Sequence, residues 1–191
     1  MLRKTRSKAY IESYGSDAVA PTKSEQKETL NRAKQLATNL ASQPEDLRKA
    51  MVLAEHLSIS AKHLVESANI YRQVANHAHA TTSQKNHASL KFVTLINDQG
   101  DALMRVKTFI AVLHDPKSSD ALRRHTVTGI LENQNKLPNL DYRRSALQIA
   151  YNAAGPNHDN KRALEYAIED LTPTPPRPQP ATAPNLQPTQ G

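Results

Sequence analysis

The sequence predicts an all-α protein, built either as an antiparallel helical bundle or as a short α-solenoid of helical hairpins. Apolar residues recur alternately three and four positions apart through the middle of the chain, a spacing that keeps one stripe of an α-helix facing a neighbour. Aromatic residues make up only 4% of the chain, so Ala, Leu, Ile and Val must build the core. Ala and Leu favour helices, whereas sheets favour β-branched and aromatic residues. No Asn-Gly or Asp-Gly pair is present to mark a β-hairpin turn.

The 191 residues divide into three parts by composition. Residues 1–20 are predicted to form a flexible basic arm. Residues 21–171 are predicted to form one helical domain, which is long enough to bury a sizeable core. Residues 172–191 contain seven of the twelve prolines, which predicts a disordered, proline-rich tail, because proline at this density blocks both helix and sheet.

The first two helices are predicted to form an antiparallel hairpin. Thr22 and Glu25 fit a capping box, so the first helix is expected to begin at Thr22 and to end close to Ser42. A second capping box is predicted from Ser42 and Glu45, with Pro44 in the first turn, where its missing N–H costs nothing. So short a connection predicts that the two helices are antiparallel. The predicted core face of the first helix comprises Leu30, Ala33, Ala37 and Leu40.

The second helix carries the longest apolar seam of the chain. The pattern predicts a helix over residues 43–80, with a break at residues 58–60 as the alternative, because serines compete for backbone hydrogen bonds. Continuity is favoured, since the seam passes through residues 58–60 in register. Residues 50–54 are apolar on every side, which predicts burial by more than one neighbour. The seam comprises Leu47, Ala50, Ala54, Leu57, Ala61, Leu64, Ala68, Tyr71 and Ala75.

Five shorter helices are predicted in the second half, at about residues 84–97, 101–114, 119–133, 141–154 and 159–171. Glycine and proline divide them, at Gly100, Pro116, Pro138 and Gly155-Pro156. Asp101, Asp120 and Asp141 are each expected to cap a helix N-terminus, where a negative charge also suits the helix dipole. Residues 92–96 could form a buried strand, but helix is favoured, because a lone strand would leave its backbone without partners.

Two short stretches resemble known helical repeats. Residues 109–116 end in Asp115-Pro116 and are followed by Arg124, and this stretch resembles the Asp-Pro turn and downstream Arg of HEAT repeats. Ala68 with Tyr71, and Ala88 with Phe92, are similar to packing positions of tetratricopeptide repeats. Each resemblance covers one or two units of the chain. What the resemblances imply is a binding scaffold.

Basic residues are the first candidate functional signal, since the net charge is +7. The arm is the better candidate for contacts with a polyanion, because a flexible basic segment needs no fixed geometry to neutralise phosphates. Arginine pairs in the second half could form a basic ridge if their helices stack in register. The favoured interpretation of the pairs is that they occupy solvent-exposed helix faces. The candidate polyanion contacts are Arg3, Lys4, Arg6, Lys8, Arg123, Arg124, Arg143 and Arg144.

The tail supplies a second candidate signal. Its prolines satisfy two overlapping PxxP patterns, which SH3-type grooves can bind. A spacer or solubilising tail is the favoured interpretation, because such matches are common in any proline-rich stretch. The candidate motif comprises Pro173, Pro175, Pro176, Arg177 and Pro178.

No residue pattern indicates an enzyme, a cofactor or a metal. Cysteine is absent, which excludes disulfides and thiolate ligands. His77 and His79 would lie on different faces of a helix, and His56 and His63 about 10 Å apart along one. Neither a Gly-rich phosphate loop nor a nucleophile elbow is present. We therefore expect no catalytic, cofactor-binding or metal-binding residues.

The sequence shows no signal for export or membrane insertion. No apolar stretch follows the basic residues of the arm as a secretory signal would require. The longest apolar runs are five residues, against about 20 needed to cross a bilayer. We expect no transmembrane segment and a location in the cytoplasm or inside an assembly.

Together these features predict a non-enzymatic protein–protein interaction module, acting as an adaptor or a subunit of a larger assembly. It would bind its partner through an apolar surface between helices. The alternative is a nucleic-acid-associated protein that uses the basic arm and the arginine pairs. Self-association through the Ala-rich seam is a third interpretation.

Overall fold

The computed structural model describes residues 22–154 and 158–171. The predicted arm and tail lie outside these residues. The described chain forms eight α-helices and two single-turn 3-10 helices, Ala61–His63 and Gln134–Lys136, and it contains no β-strand. The all-α prediction is confirmed, and residues 92–96 are helical. The α-helices are α1 Lys23–Thr38, α2 Pro44–Ser58, α3 Leu64–Asn76, α4 Thr82–Asn97, α5 Ala102–His114, α6 Asp120–Asn133, α7 Leu140–Ala153 and α8 His158–Glu169.

Successive helices pair as four hairpins, and the second helices of the hairpins lie side by side as one layer, here called the even layer (α2, α4, α6 and α8). Gln84 Nε2 at the start of α4 donates to the carbonyl of Pro44 at the start of α2, at 2.6 Å. At the ends of α4 and α6, Asn133 Nδ2 donates to Asn97 Oδ1 at 2.7 Å. Asn160 Nδ2 near the start of α8 donates to the carbonyl of Arg124 in α6, at 3.3 Å. The even helices therefore run parallel, as stacked hairpins require.

The first helices of the hairpins form the odd layer (α1, α3, α5 and α7). His63 Nε2 at the start of α3 lies 3.4 Å from Gln26 Oε1 near the start of α1, and His77 Nε2 after the end of α3 lies 3.0 Å from the carbonyl of Asn39 after the end of α1. These two contacts show that α1 and α3 are parallel neighbours. Helices α5 and α7 also pack together, but no Cα atom of α3 lies within 8 Å of a Cα atom of α5.

The core lies between the two layers, with its largest side chains at the centre of the second and third hairpins. Phe92 of α4 and Phe109 of α5 are buried and meet edge to face, with ring centroids 6.5 Å apart. Gly129 of α6 lies against the Phe109 ring, where a Cβ atom would be 2.8 Å from Cε2 and from Cζ. The missing side chain lets α6 approach α5 closely.

The prediction of one continuous helix over residues 43–80 is wrong, and the break lies at the serines. Helix α2 ends at Ser58, whose Oγ donates to the carbonyl of Glu55 at 2.8 Å. The amide of Ser60 donates to Leu57, and a 3-10 turn then leads into α3. The seam therefore belongs to two helices that pack against each other. Its described side chains remain largely buried, with Leu47, Ala50, Ala54, Leu57, Ala68, Tyr71 and Ala75 in the core and Leu64 packed against it.

The predicted hairpin of α1 and α2 is present, with one confirmed cap and two errors. The capping box of Thr22 and Glu25 is confirmed, with both reciprocal hydrogen bonds formed. Ser42 does not cap α2: Gln43 is the N-cap residue and its amide donates to Asp46, while Ser42 is buried and its carbonyl contacts His79. Helix α1 ends at Thr38, before Ser42, so Leu40 falls in the turn and is 83% exposed instead of lying in the core.

Of three further predictions, one is confirmed by the local geometry and two are wrong. Asp101 caps α5 as predicted, and its Oδ1 accepts a hydrogen bond from the amide of Met104. The other two caps are Ser119 and Asn139, because α6 begins one residue and α7 two residues before the position expected from its Asp cap. Val52 of α2 is 47% exposed, so residues 50–54 are not buried on every side.

None of the helices within the described ranges combines the length and the apolar character that crossing a bilayer demands.

Candidate functional site

All Cα atoms of α3 lie more than 8 Å from those of α5, and the space between these two helices is here called the groove. Its α3 wall is the helix flank that leads to Arg72 and Asn76, both of which bond to the loop after α5. Residues three and seven positions before Arg72 share that flank, and these are Asn69 and Val65. The wall is therefore polar toward the end of α3 and apolar near its start.

The α5 wall can be assigned in the same way. Asp115, which follows α5, contacts Arg72. Helical spacing of four, seven and eleven residues back from Asp115 selects Ala111, Thr108 and Met104 as the flank on that side. Thr108 Oγ1 donates to the carbonyl of Met104 at 3.0 Å, so its own polar group is satisfied within the helix. The wall leaves Ala111 and Met104 as apolar surface.

One end of the groove is closed by polar contacts. Arg72 Nη2 lies 2.6 Å from Asp115 Oδ2, and both side chains are about a quarter to a third exposed. Ser119 N donates to Asn76 Oδ1 at 2.8 Å. The pKa of Asp115 is lowered, first because its carboxylate accepts the backbone N–H of Lys117 and then because Arg72 donates to it. The ion pair therefore persists at neutral pH and holds the end of α3 against the loop after α5.

The other end, at the starts of α3 and α5, is the mouth of the groove. Val65 is 56% exposed and Met104 is 48% exposed, which is unusual for apolar side chains on helices that otherwise bury theirs. The acidic residues Glu66, Asp98 and Asp101 stand in the elements around this mouth, and none forms an ion pair with another residue of the described ranges. The mouth thus combines exposed apolar side chains with charged residues around them.

Three basic residues also lie in the elements around the mouth, and one of them, Lys107, is exposed on α5 about one turn after Met104. Lys62 precedes α3 and is exposed. Arg105 is already engaged, because its guanidinium donates to the carbonyls of Gln99 and Gly100 and to Asn133 Oδ1. Lys62 and Lys107 are the exposed cations that offset the three carboxylates.

The arginines of the predicted pairs donate hydrogen bonds to other atoms of this chain. Arg123 donates to three carbonyls, those of Leu113, Asp115 and Ser118. Arg143 donates to the side-chain oxygens of Gln134 and Asn135, and Arg144 to the carbonyl of Leu171. Arg124 is exposed and donates to Asn86 Oδ1. The structure does not bring the pairs together as a bare basic ridge, and their contact with polyanions stays a prediction.

The remaining predicted site residues lie outside the described ranges. This holds for the basic residues of the arm and for the PxxP motif of the tail, so both stay predictions. These residues are Arg3, Lys4, Arg6, Lys8, Pro173, Pro175, Pro176, Arg177 and Pro178.

A titratable cluster joins α2, α3 and α4 away from the groove. Tyr71 Oη donates to Glu55 Oε2 at 2.7 Å, and Lys91 Nζ donates to Glu55 Oε1 at 2.9 Å. The ring of His87 meets that of Tyr71 edge to face. Burial raises the pKa of Tyr71 strongly, and the Glu55 carboxylate raises it further. Tyr71 is therefore a fixed hydrogen-bond donor at neutral pH, and the cluster fastens helices together.

The histidines serve the turns between hairpins. The amide of His79 donates to His77 Nδ1 at 3.2 Å, and His77 Nε2 faces the carbonyl of Asn39. Since Nδ1 of His77 accepts a hydrogen bond, its Nε2 must carry the hydrogen that is donated to the carbonyl of Asn39. Among the described residues, no group of three or more His, Asp or Glu side chains is arranged to hold a metal ion.

Comparison of the chain with protein-family models, with curated proteins and with solved structures finds no match. The groove therefore has to be judged on its own geometry.

Sequence reasoning missed Val65 and Met104 as site residues. Val65 is apolar but lies outside the seam, next to Leu64. An apolar residue outside the seam was the signal that the sequence offered. Met104 follows the capping residue Asp101 by one helical turn and carries no comparable signal. That the two side chains flank one groove depends on how far α3 lies from α5, which no local pattern encodes.

Proposed function

We propose that this protein is a non-enzymatic interaction module that binds a polypeptide segment of a partner protein in the groove between α3 and α5. The observation that carries the proposal is the lack of any Cα–Cα distance within 8 Å between α3 and α5, together with exposed Val65 and Met104 near the starts of these helices. Helices in contact normally lie 8–10 Å apart, so flanks that do not pack leave room for side chains of another segment.

The dimensions of the groove suit a short amphipathic segment. Helices α3 and α5 each contain 13 residues, which corresponds to a wall of about 20 Å at 1.5 Å per residue. A helix of three to four turns spans such a wall. Recognition of this kind uses apolar anchors in the groove and polar contacts along its rim. Asn69, which is exposed on the α3 wall, would supply such a polar contact.

A matched pair of double variants tests the proposal. Val65→Asp with Met104→Asp places charges at the mouth, whereas Val52→Asp with Leu90→Asp places them on exposed helix positions of the even layer. All four side chains are about half exposed, so both variants should fold, which circular dichroism checks. Photo-crosslinking of the native protein in cell extract, with the label at Asn69, should capture a specific partner that only the mouth variant loses.

The result that contradicts the proposal is equally definite. If both double variants retain the same crosslinked partners as the native protein, the groove is not the binding surface. If sedimentation at two concentrations instead shows self-association that the mouth variant abolishes, the groove binds a second copy of the chain.

Nucleic-acid association has less support in the described residues. All four predicted arginines in the helical domain donate to atoms of this chain, and of these four only Arg124 is classed as exposed. Titration of labelled RNA and DNA across several salt concentrations tests this alternative, because phosphate contacts give a steep loss of affinity with salt.

A further inference from the structure

We propose that α1 carries a second binding surface, which contacts the phosphate backbone of a nucleic acid. The surface consists of Lys23, Lys27 and Lys34 and is here called the lysine face. It belongs to a helix that does not line the groove, so it is independent of the function proposed above. The polyanion contacts predicted from the sequence do not include these three lysines, and their arrangement supports a nucleic-acid contact that the arginine pairs do not.

The three lysines lie on one side of α1. At 3.6 residues per turn, they fall within a sector of about 40° around the helix axis. All three side chains are exposed. The residues that come next around the same side are Thr38 and Asn31, which are also exposed and carry no charge. The lysine face is therefore a continuous positive surface with a neutral polar border.

No carboxylate of the described residues pairs with the lysine face. Side chains three or four positions apart are neighbours on a helix, and α1 has no Asp or Glu at those positions from any of the three lysines. None of their ammonium groups forms an ion pair with another described residue. The carboxylates of α1 itself lie on another side, Glu28 at least about 100° away and Glu25 about 160° away. Glu25 also accepts from the amide of Thr22.

Several cations of the other helices are held by acceptors of the same chain. In α2, Arg48 pairs with Glu45. Lys49 of the same helix pairs with Asp46. The arginines of α5, α6 and α7 donate to carbonyl and amide oxygens of this chain. Among the described helices, α1 alone places three lysines on one side without a carboxylate to pair with them.

The placement of these lysines works against the stability of α1. Lys23 and Lys27 are four positions apart, where like charges destabilise a helix. Lys23 is also the first residue of α1, and a positive charge at a helix N-terminus opposes the helix dipole. Positions at which a sequence departs from the local rules of helix stability are commonly functional. The lysine face is such a position, and an anionic partner would relieve its repulsion.

The surroundings of the lysine face favour a nucleic acid over a protein or a membrane as the anionic partner. Protein interfaces have an apolar core, and helices that lie on membranes insert apolar side chains. The large apolar side chains of α1, Leu30 and Leu36, are instead packed against the core of this protein. Asn31 supplies an amide beside the lysines, and such groups bond to phosphate and sugar oxygens. Phosphates of a nucleic acid require charge and no apolar anchor.

The length of the lysine face matches a short run of phosphates. The distance from Lys23 to Lys34 is about 17 Å along α1 at 1.5 Å per residue. One strand of duplex DNA carries a phosphate about every 3.4 Å along the helix axis. The three lysines can therefore neutralise three phosphates within a run of about five.

Two matched triple variants of the full chain test the inference. The face variant combines Lys23→Gln, Lys27→Gln and Lys34→Gln. The control variant makes the same change at three exposed lysines of other elements, and it combines Lys62→Gln, Lys107→Gln and Lys136→Gln. Both variants lose the same net charge. Because Lys and Gln have similar helix propensities, both should fold, which circular dichroism checks.

Fluorescence anisotropy with short labelled RNA and duplex DNA of mixed sequence measures binding from low to physiological salt. We expect the face variant to bind at least about tenfold more weakly than the native protein at low salt. The slope of log affinity against log salt should become shallower by about 2 for single-stranded RNA and by about 3 for duplex DNA, because three phosphate contacts are lost. The control variant should keep the native slope. Changing the three lysines of the face to Arg should retain binding, because Arg keeps the charge.

Two results would overturn the inference. One is an equal loss of affinity in the face variant and the control variant, and the other is no binding of RNA or DNA by the native protein at low salt. Sedimentation with vesicles of phosphatidylcholine, with and without phosphatidylserine, separates the remaining source of phosphate. If the native protein binds only the phosphatidylserine vesicles, and the face variant does not, the lysine face binds lipid headgroups and the inference of a nucleic acid is wrong.

Discussion

The even and odd layers are made from the same four hairpins, but they differ in how far their helices are joined. In the even layer, α4 and α6 are bonded near both ends, through Asn86 with Arg124 and through Asn97 with Asn133. In the odd layer, the described hydrogen bonds of this kind run from α3 to the loop after α5, where Arg72 meets Asp115 and Asn76 accepts from the amide of Ser119. One continuous layer is thus sufficient to order the hairpins, and the other layer can open into a groove.

The difference has a local cause in side-chain size. Gly129 lets α6 pack directly against Phe109 and Val93, so α5 is anchored to the even layer and does not need α3. On the α3 side, the side chains of Arg72 and Asn76 bond to the loop after α5.

The largest effect should come from the anchor of α5. Phe109→Ala removes a buried ring that contacts Phe92 and Gly129. We expect a loss of about 3–5 kcal/mol in the free energy of unfolding, as for other buried Phe truncations. Urea denaturation measures it. A loss below about 1 kcal/mol would show that α5 is held by something other than the even layer.

The close packing of α6 against α5 is tested at Gly129. Gly129→Ala gains up to about 1 kcal/mol in helix propensity, but its Cβ would lie 2.8 Å from two ring atoms of Phe109. Overpacking of this kind costs about 1–3 kcal/mol, so we expect a net loss of about 1–2 kcal/mol in thermal or urea unfolding. Thr128→Ala, at the exposed neighbouring position, is the control and should leave stability nearly unchanged.

The junction of α2, α3 and α4 is tested at Tyr71. Tyr71→Phe keeps the buried ring but removes the donor to Glu55 and to the carbonyl of Met51. A hydrogen bond of this type contributes about 1 kcal/mol, and we expect a loss of that size in urea unfolding. An unchanged midpoint would mean that Lys91 alone satisfies Glu55.

Acid unfolding tests the contribution of Glu55 to the same junction of α2, α3 and α4. Burial by itself would raise the pKa of Glu55, but hydrogen bonds from Lys91 and Tyr71 outweigh burial, and the pKa is lowered from 4.5. A lowered pKa in the folded state means that the stabilisation is present above pH 4.5 and is lost as the pH falls through the lowered value. Glu55→Gln should therefore lose less unfolding free energy than the native chain between neutral pH and about pH 3. Equal losses in both proteins would contradict a role for Glu55.

The smallest effect should be at the groove itself. Val65 and Val74 are the same residue type on α3, but Val65 is at the open mouth and Val74 is fully buried. Val74→Ala should cost about 1.5–3 kcal/mol through lost burial and the cavity left behind, whereas Val65→Ala should change the unfolding free energy by less than about 0.5 kcal/mol. Similar losses at the two positions would show that the groove is already packed.

Local signals gave most of the helix boundaries, because caps and breakers act within a few residues. Thr22 with Glu25, Asp101, and the division at Gly100 all performed as predicted. The errors came where two local signals competed. Ser42 and Gln43 could each serve as the N-cap of α2. Ser42 is buried and its carbonyl contacts His79, which left Gln43 as the N-cap.

The candidate site could be predicted only in outline. The sequence indicated an apolar surface between helices and located the arginine pairs. It could not show which atoms the arginine side chains would bond to. Arg123 reaches carbonyls as far back as Leu113, which became possible only when the loop between α5 and α6 folded over the end of α5. A guanidinium carries several donors, so it bonds to whichever acceptors the fold brings near.

The sequence by itself determined the all-α class, the order of the helices and most of the residues that each helix buries, because helical periodicity and capping depend on neighbours along the chain. The tertiary structure decided that the seam bends at Ser58 into two helices, that the even helices stack closely over Gly129, and that α3 and α5 stay apart. Those outcomes depend on distances between helices, which are set by the combined packing of side chains distant in sequence. The groove exists for that reason, and no local pattern of residues records it.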